Sequence, residues 1–283
     1  MRISELLKEQ KKTLSFEVFP PKTTDSYESV RHSVMEIAAL NPDFMSVTYG
    51  AGGGTSLYTA QLAKEVMENS GVTAMAHLSC VTSTRDMVKG QLRQIMGMGI
   101  ENILALRGDL LEGMDSSQLD YRYASDLVKE IRTSYDFCIG GACYPEGHPE
   151  AKSLSQDILH IKEKVEAGCE FLTTQMFFDN DLYYRYVERL RENGVMVPVI
   201  AGIMPITSPK QVERARTLSG TCFPKAFTEM VEKYETDEKS FYQAGIDYAV
   251  KQVEQLRSHG VLPIHIYTMN KPEVARTIQE VAG

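Results

Sequence analysis

The sequence predicts an α/β fold, a (β/α)8 TIM barrel with an extra helix between its seventh and eighth strands. Three observations point there. Short apolar, β-branched runs alternate with amphipathic stretches along the whole chain. The first four runs begin about 30 residues apart, the length of one strand-plus-helix unit. There are eight runs in all, the number that closes a barrel.

The first run, Leu14–Phe19, is followed by Asp25-Ser26-Tyr27-Glu28, a capping box ahead of Val30, Val34, Ile37 and Ala38 at helical spacing. The second and third runs are Phe44–Tyr49 and Thr73–Cys80. Thr84 is placed to cap a helix burying Val88, Leu92, Ile95 and Met96, stopped near Gly97 and Gly99. Asn102–Arg107 and Cys138–Tyr144 are the fourth and fifth runs. Ser153 to Gln156 is a second capping box, before Ile158, Ile161 and Val165, with Gly168 as the stop. Phe171–Phe177 leads to Asp179, which starts a helix burying Leu182, Tyr186, Val187 and Leu190 up to Gly194. After Val197–Met204, Ser208-Pro209-Lys210-Gln211 places a proline at the first helical position and Gln211 at N3. The long gap from Pro205 to Pro263 requires one more helix, from about Phe223 to Tyr234. Ile264–Met269 is the last strand, and Asn270 is placed to cap a helix beginning at Lys271.

An open doubly wound sheet is the competing architecture. It normally carries a glycine fingerprint after its first strand; here that position reads Phe19-Pro20-Pro21-Lys22. No linker or low-complexity tract interrupts the chain, so residues 1–283 read as one domain.

Composition removes several function classes. With 30 Lys plus Arg against 38 Asp plus Glu, the net charge of −8 opposes binding to nucleic acid. No apolar run reaches the roughly 18 residues of a membrane span, and the opening MRISELLKEQKK lacks a signal-peptide core, which predicts a soluble, cytoplasmic protein. Cys138, Cys143 and His148 are spaced C-x4-C-x4-H, but structural zinc sites favour tighter pairs and a fourth ligand. The five cysteines read as buried, reduced thiols and no metal is expected.

In a barrel, chemistry gathers at the C-terminal strand ends. Glu17 lies inside the first strand, where a carboxyl loses hydration and is held protonated, as a general acid requires; the alternative is an ion pair with Arg107 or Lys22. Gly50 to Gly54 follow the second strand, His77 lies in the third, and Arg107-Gly108-Asp109 ends the fourth. Arginine suits phosphate or a planar ring, and glycine lets backbone approach a ligand; the alternative there is a solvated Arg–Asp turn. Tyr144 and His148 follow strand five, and Gln175 lies in strand six. Asp157, His160 and Lys164 share one helical face, which reads by default as solvated charge.

Five ordered segments, Phe16 to Lys22, Ser46 to Ala51, Leu104 to Asp109, Tyr144 to Lys152 and Thr174 to Asp179, resemble methylenetetrahydrofolate reductase. The resemblance runs from about Leu14 to Lys271 and implies a barrel that binds FAD. It implies that NADH or NADPH reduces the flavin, which then reduces 5,10-methylenetetrahydrofolate to 5-methyltetrahydrofolate, with Glu17 protonating N10. By the same resemblance Thr48 contacts nicotinamide, and Tyr49, Ala51, His77, Arg107, Gly108, Ala124, Tyr144, His148, Ala151, Asp157, His160 and Lys164 hold FAD. Asp109 lies between flavin and folate as a second catalytic group, while Gln175, Gln211 and Lys271 reach the folate. His160, Glu163 and Lys271 depart from the family's usual asparagine, arginine and arginine, so Glu163 is left out. A homo-oligomer is implied. Two alternatives stay open: a flavin-carrying subunit fed by a partner protein, and a flavin-free pterin-binding methyltransferase barrel.

Overall fold

Eight parallel strands hydrogen-bond in chain order and close on themselves. They are β1 (Thr13–Val18), β2 (Phe44–Val47), β3 (Thr73–Ser79), β4 (Asn102–Leu106), β5 (Cys138–Cys143), β6 (Phe171–Thr174), β7 (Val199–Ile203) and β8 (Pro263–Tyr267). This computed structural model describes residues 1–49, 56–110 and 119–282, with Ser56, Leu57, Leu218 and Ser219 as backbone only. The closing pair runs in register from Thr13 beside Pro263 to Glu17 beside Tyr267.

All eight expected strands form, but most stop short of their apolar runs. Beyond Thr174, Gln175 still donates its N–H to the Cys143 carbonyl at 2.7 Å. Met176 and Phe178 then leave the ladder for a separate cluster around Phe227. Apolarity does not separate a strand from the buried loop that continues it.

The helices are α1 (Ile3–Lys8), α2 (Tyr27–Ala38), α3 (Ser56–Ser70), α4 (Arg85–Gly97), α5 (Ala124–Ser134), α6 (Leu154–Glu166), α7 (Asn180–Glu192), α8 (Pro209–Ser219), α9 (Lys225–Tyr234), α10 (Glu238–Ser258) and α11 (Pro272–Ala282). Thr84, Ser153 and Asp179 cap their helices as expected, accepting from Met87, Gln156 and Asp181 N–H at 3.3, 3.2 and 3.0 Å. The Asp25 capping box does not form. Thr24–Ser26 is a 3-10 turn, and Ser26, at the N-cap of α2, makes no side-chain cap hydrogen bond. The expected extra helix is α9. Behind it, α10 crosses the Ile206 backbone so closely that a Cβ at Gly245 would lie 1.7 Å from the Ile206 carbonyl oxygen. None of the described helices is long and apolar enough to cross a membrane.

The sequence reading missed α1. This short helix closes the N-terminal end of the barrel, where Ile3 and Leu7 join Phe44, Leu104, Phe171 and Ile200. Inward-facing Asn102 pins it by accepting the Ile3 N–H at 2.9 Å and donating to the Met1 carbonyl at 3.0 Å. Cys138 points into this floor and Cys143 into the layer between barrel and helices, so the C-x4-C-x4-H spacing converges on no centre. Four cysteines are buried, but Cys222 is exposed, contrary to the expectation for all five. It lies on the irregular segment between α8 and α9, outside any strand.

Candidate active site

Alternation along β1 sends Leu14, Phe16 and Val18 into the barrel–helix layer and Ser15 and Glu17 into the barrel. Glu17 is 8% exposed. Its Oε2 lies 3.7 Å from His77 Nε2 and 3.8 Å from His265 Nε2, beyond hydrogen-bond distance of both. Burial pushes the His77 imidazole down to about 4, so that ring is neutral at physiological pH.

The expected ion-pair partners of Glu17 are elsewhere. Lys22 is exposed. Arg107 forms a two-pronged pair with Glu150 at 2.7 and 2.5 Å, which raises the guanidinium and holds the Glu150 carboxyl below its usual range. Arg107 is therefore neither the partner of Glu17 nor half of a solvated turn with Asp109. Glu150 directly follows Pro149 in a turn, and nothing in the sequence marks it as this partner.

Two adjoining cavities open at the C-terminal end of the barrel. The inner one, ≈ 410 Å³, is lined by Glu17, Thr48, Tyr49, His77, Asp109 and Gln175, among others. The outer one, ≈ 460 Å³, extends over α5 and α6 past Ala151, Asp157 and His160. Arg107, Ala124, Tyr144, His148 and Lys164 line both. Gly108, in the wall of the inner cavity, has a φ of +88° and passes so close to Ser79 that a Cβ would fall 2.2 Å from its Oγ.

The polar face of α6 is not simply solvated. Asp157 is buried, its carboxyl pushed up by desolvation, and its Oδ2 has no hydrogen-bond partner. Lys164 Nζ donates to the Ala142 carbonyl at 2.6 Å. His160 stacks on Tyr123 with ring centroids 6.0 Å apart. His148 is pushed down by burial, and its Nδ1 accepts the Glu150 N–H at 3.1 Å. Two buried polar atoms of the inner cavity also lack partners, His77 Nε2 and Thr173 Oγ1.

Ala51 lies outside the described residues. Gln211 and Lys271 line neither cavity, but both meet at Thr207. Gln211 Oε1 accepts from Thr207 N–H and Oγ1 at 2.7 and 3.0 Å, and Lys271 Nζ donates to Thr207 Oγ1 at 2.8 Å. Gln211 thus reaches one residue past the expected cap position. Asn270 caps no helix; at φ 57° its side chain bonds both backbone polar groups of Phe19, at 2.8 and 3.0 Å, tying β8 to β1. His265 escaped the sequence reading. The signal was present, because His265 and Tyr267 alternate with Ile264 and Ile266 as Glu17 alternates with Phe16 and Val18.

Eight parallel strands with ionisable side chains converging on a cavity at their C-terminal ends define a (β/α)8-barrel enzyme. Comparison with known proteins narrows the class. The methylenetetrahydrofolate reductase family model matches residues 2–283. The chain is 36% identical over 270 residues to the 5,10-methylenetetrahydrofolate reductase of Salmonella typhimurium, covering 95% of this chain and 90% of that one. It is 32% identical over 283 residues to methylenetetrahydrofolate reductase (NADH) 1 of Arabidopsis thaliana, covering 95% of this chain and 48% of that one. In structure it resembles a Clostridium thermocellum protein described as binding two copies of 5-methyl-5,6,7,8-tetrahydrofolic acid. The TM-score is 0.70 at 15% identity, over 100% of this chain and 99% of that one, a likeness of fold alone. This chain belongs to the methylenetetrahydrofolate reductase family of oxidoreductases.

Proposed function

We propose that this chain reduces 5,10-methylenetetrahydrofolate to 5-methyltetrahydrofolate with NADH or NADPH through bound FAD, and that Glu17 is the proton donor. The observation that carries the reading is a carboxyl buried in the barrel mouth with, among the described residues, no Lys or Arg paired to it. The paired cavities suit an elongated dinucleotide: the inner one takes a flat ring system, and Arg107, His148 and Lys164 stand where the two meet. The partnerless His77 Nε2, Thr173 Oγ1 and Asp157 Oδ2 are polar atoms such a ligand would satisfy. When bound, FAD supplies the hydride relay between nicotinamide and folate.

The residues of the chain do the rest. Glu17 gives its proton to N10 of the folate, which breaks the N10–methylene bond and leaves an iminium cation at N5. Asp109, on the same cavity wall, offers negative charge to that cation. The Gln175 carbonyl oxygen is already bonded to the Met176 N–H at 3.0 Å, so its amide N–H groups are the part left for the pterin. Thr48 meets the nicotinamide, and the Gln211–Thr207–Lys271 group takes the distal part of the folate.

Anaerobic titration with each nicotinamide tests the reading. Yellow protein should be bleached by one of them and recoloured by methylenetetrahydrofolate. In Glu17→Gln the nicotinamide half-reaction should stay within about twofold while the folate half-reaction falls about 10²–10⁴-fold. Colourless protein that still binds folate, or equal loss in both halves, refutes it.

A further inference from the structure

Arg107 stands where the two cavities meet, and it is held at both ends. Its carbonyl oxygen accepts from Ser79 Oγ at 2.9 Å and from the Val81 N–H at 2.8 Å. At the other end, Nη1 and Nη2 donate to the two oxygens of Glu150 at 2.7 and 2.5 Å, and Nε donates to the Gly108 carbonyl at 3.0 Å. Glu150 is fixed in turn. Its N–H donates to His148 Nδ1 at 3.1 Å, and the Ala151 N–H closes the turn on the His148 carbonyl at 2.9 Å.

A guanidinium has five N–H donors, so three are taken by the described residues and two remain, together with its flat face. Its positive charge is matched at bonding distance by the Glu150 carboxylate. An anion placed beside this pair would meet nearly as much repulsion from Glu150 as attraction from Arg107. A ring without net charge meets no such opposition, and arginine stacks well on planar groups. The neighbours agree: Tyr144 and His148, in edge contact with centroids 4.7 Å apart, line both cavities alongside Arg107. Phosphates have other cations to meet, since Lys152 and Lys164 line the outer cavity and form no ion pair among the described residues.

We propose that Glu150 is a positioning residue that cancels the charge of Arg107 and fixes its plane, so that Arg107 reads a flat, uncharged ring of FAD instead of the pyrophosphate. The proposal rests on the FAD binding given above. Phosphate and planar ring both suit an arginine at a strand end, and Glu150 is what selects the ring.

Release of FAD from diluted holoenzyme, read by the recovery of flavin fluorescence, tests the assignment. Glu150→Gln keeps the length of the side chain but sets an amide N–H against a guanidinium N–H. Arg107 then loses its fixed plane, and FAD should bind roughly three- to tenfold more weakly. Arg107→Lys keeps the charge and loses the plane, so it should bind FAD as weakly as Arg107→Ala, with the same loss at low and high salt. In an Arg107→Ala background Glu150→Gln should add little further loss, because Glu150 acts through Arg107. The Glu150 side chain is half exposed, so its substitution should leave the denaturation midpoint nearly in place.

Tighter FAD binding in Glu150→Gln would make Glu150 a rival of the phosphates, and rescue by Arg107→Lys would make charge the working feature; either result overturns the proposal. Full additivity of the two losses overturns it as well. If wild-type protein binds FAD and shows these shifts but fails to reduce methylenetetrahydrofolate, the reductase reading falls and the role of Glu150 stands. If wild-type protein reduces the folate through FAD and Glu150→Gln leaves FAD affinity unmoved, the role of Glu150 falls and the reductase reading stands. Protein that takes up no FAD overturns both.

Discussion

The two ends of one barrel obey different rules. At the N-terminal end the inward positions hold Phe44, Leu104, Phe171 and Ile200, sealed by Ile3 and Leu7 of α1. Higher in the barrel the inward positions of β1, β2, β3 and β8 hold Ser15, Glu17, Ser46, His77 and His265. Each strand rises about 3.3 Å per residue, so this change takes place within about two layers of side chains. The floor gains stability from apolar burial. The upper layers hold titratable side chains, which apolar residues would replace with little loss of stability and complete loss of chemistry.

That contrast is open to direct attack. The largest effect on stability should come from the floor. Phe171 packs its ring where a Cβ on Gly140 would lie 2.5 Å away, so no small residue refills its space. Phe171→Ala should cost about 3–5 kcal/mol, measured by denaturant unfolding. Glu17→Gln, in the upper layer, should leave the denaturation midpoint nearly in place while removing folate reduction. A melt lowered as much by Glu17→Gln as by Phe171→Ala would erase the distinction.

A smaller effect should follow pH. The folded-state His77 sits at about 4 against an ordinary 6.5, so the unfolded chain binds its proton first. The contribution is fully present above about 6.5 and is lost as pH falls towards 4, by roughly 3 kcal/mol in all. Stability of the wild type should therefore fall more steeply over that window than stability of His77→Gln. Parallel slopes would mean that the ring is hydrated.

The smallest effect belongs to the rim. Lys271→Met breaks the 2.8 Å bond to Thr207 Oγ1 and removes the ammonium 5.6 Å from the Tyr242 ring. It should raise KM for the folate severalfold, about 1 kcal/mol, with kcat unchanged. Lys271→Arg should restore or improve on the wild type. A kcat defect would place Lys271 nearer the chemistry than the structure does.

Much of this was legible from the chain. Glu17 stood out because a carboxylate between Phe16 and Val18 in an apolar run is costly without a purpose. Arg107-Gly108-Asp109 was visible as a polar strand end. His265 followed the same alternation as Glu17 but was not singled out. The Asp25 capping box failed because its residues serve a 3-10 turn first, and local pattern does not choose between two local structures. The solvated reading of Asp157 failed because burial of a helix face is set by what lies over it.

Sequence alone determined the strand count, their order and the alternation that turns one face of each strand inward, because these follow from local apolar periodicity and from spacing along the chain. Only the closed barrel decided that Ser15 meets His265 and that His265 meets Glu17, across sequence separations of 250 and 248 residues. It also decided that Glu150, instead of Asp109, takes Arg107. Those contacts depend on which strand closes against which and on how far the loops fold back, and no local pattern encodes the distance between residues so far apart in the chain.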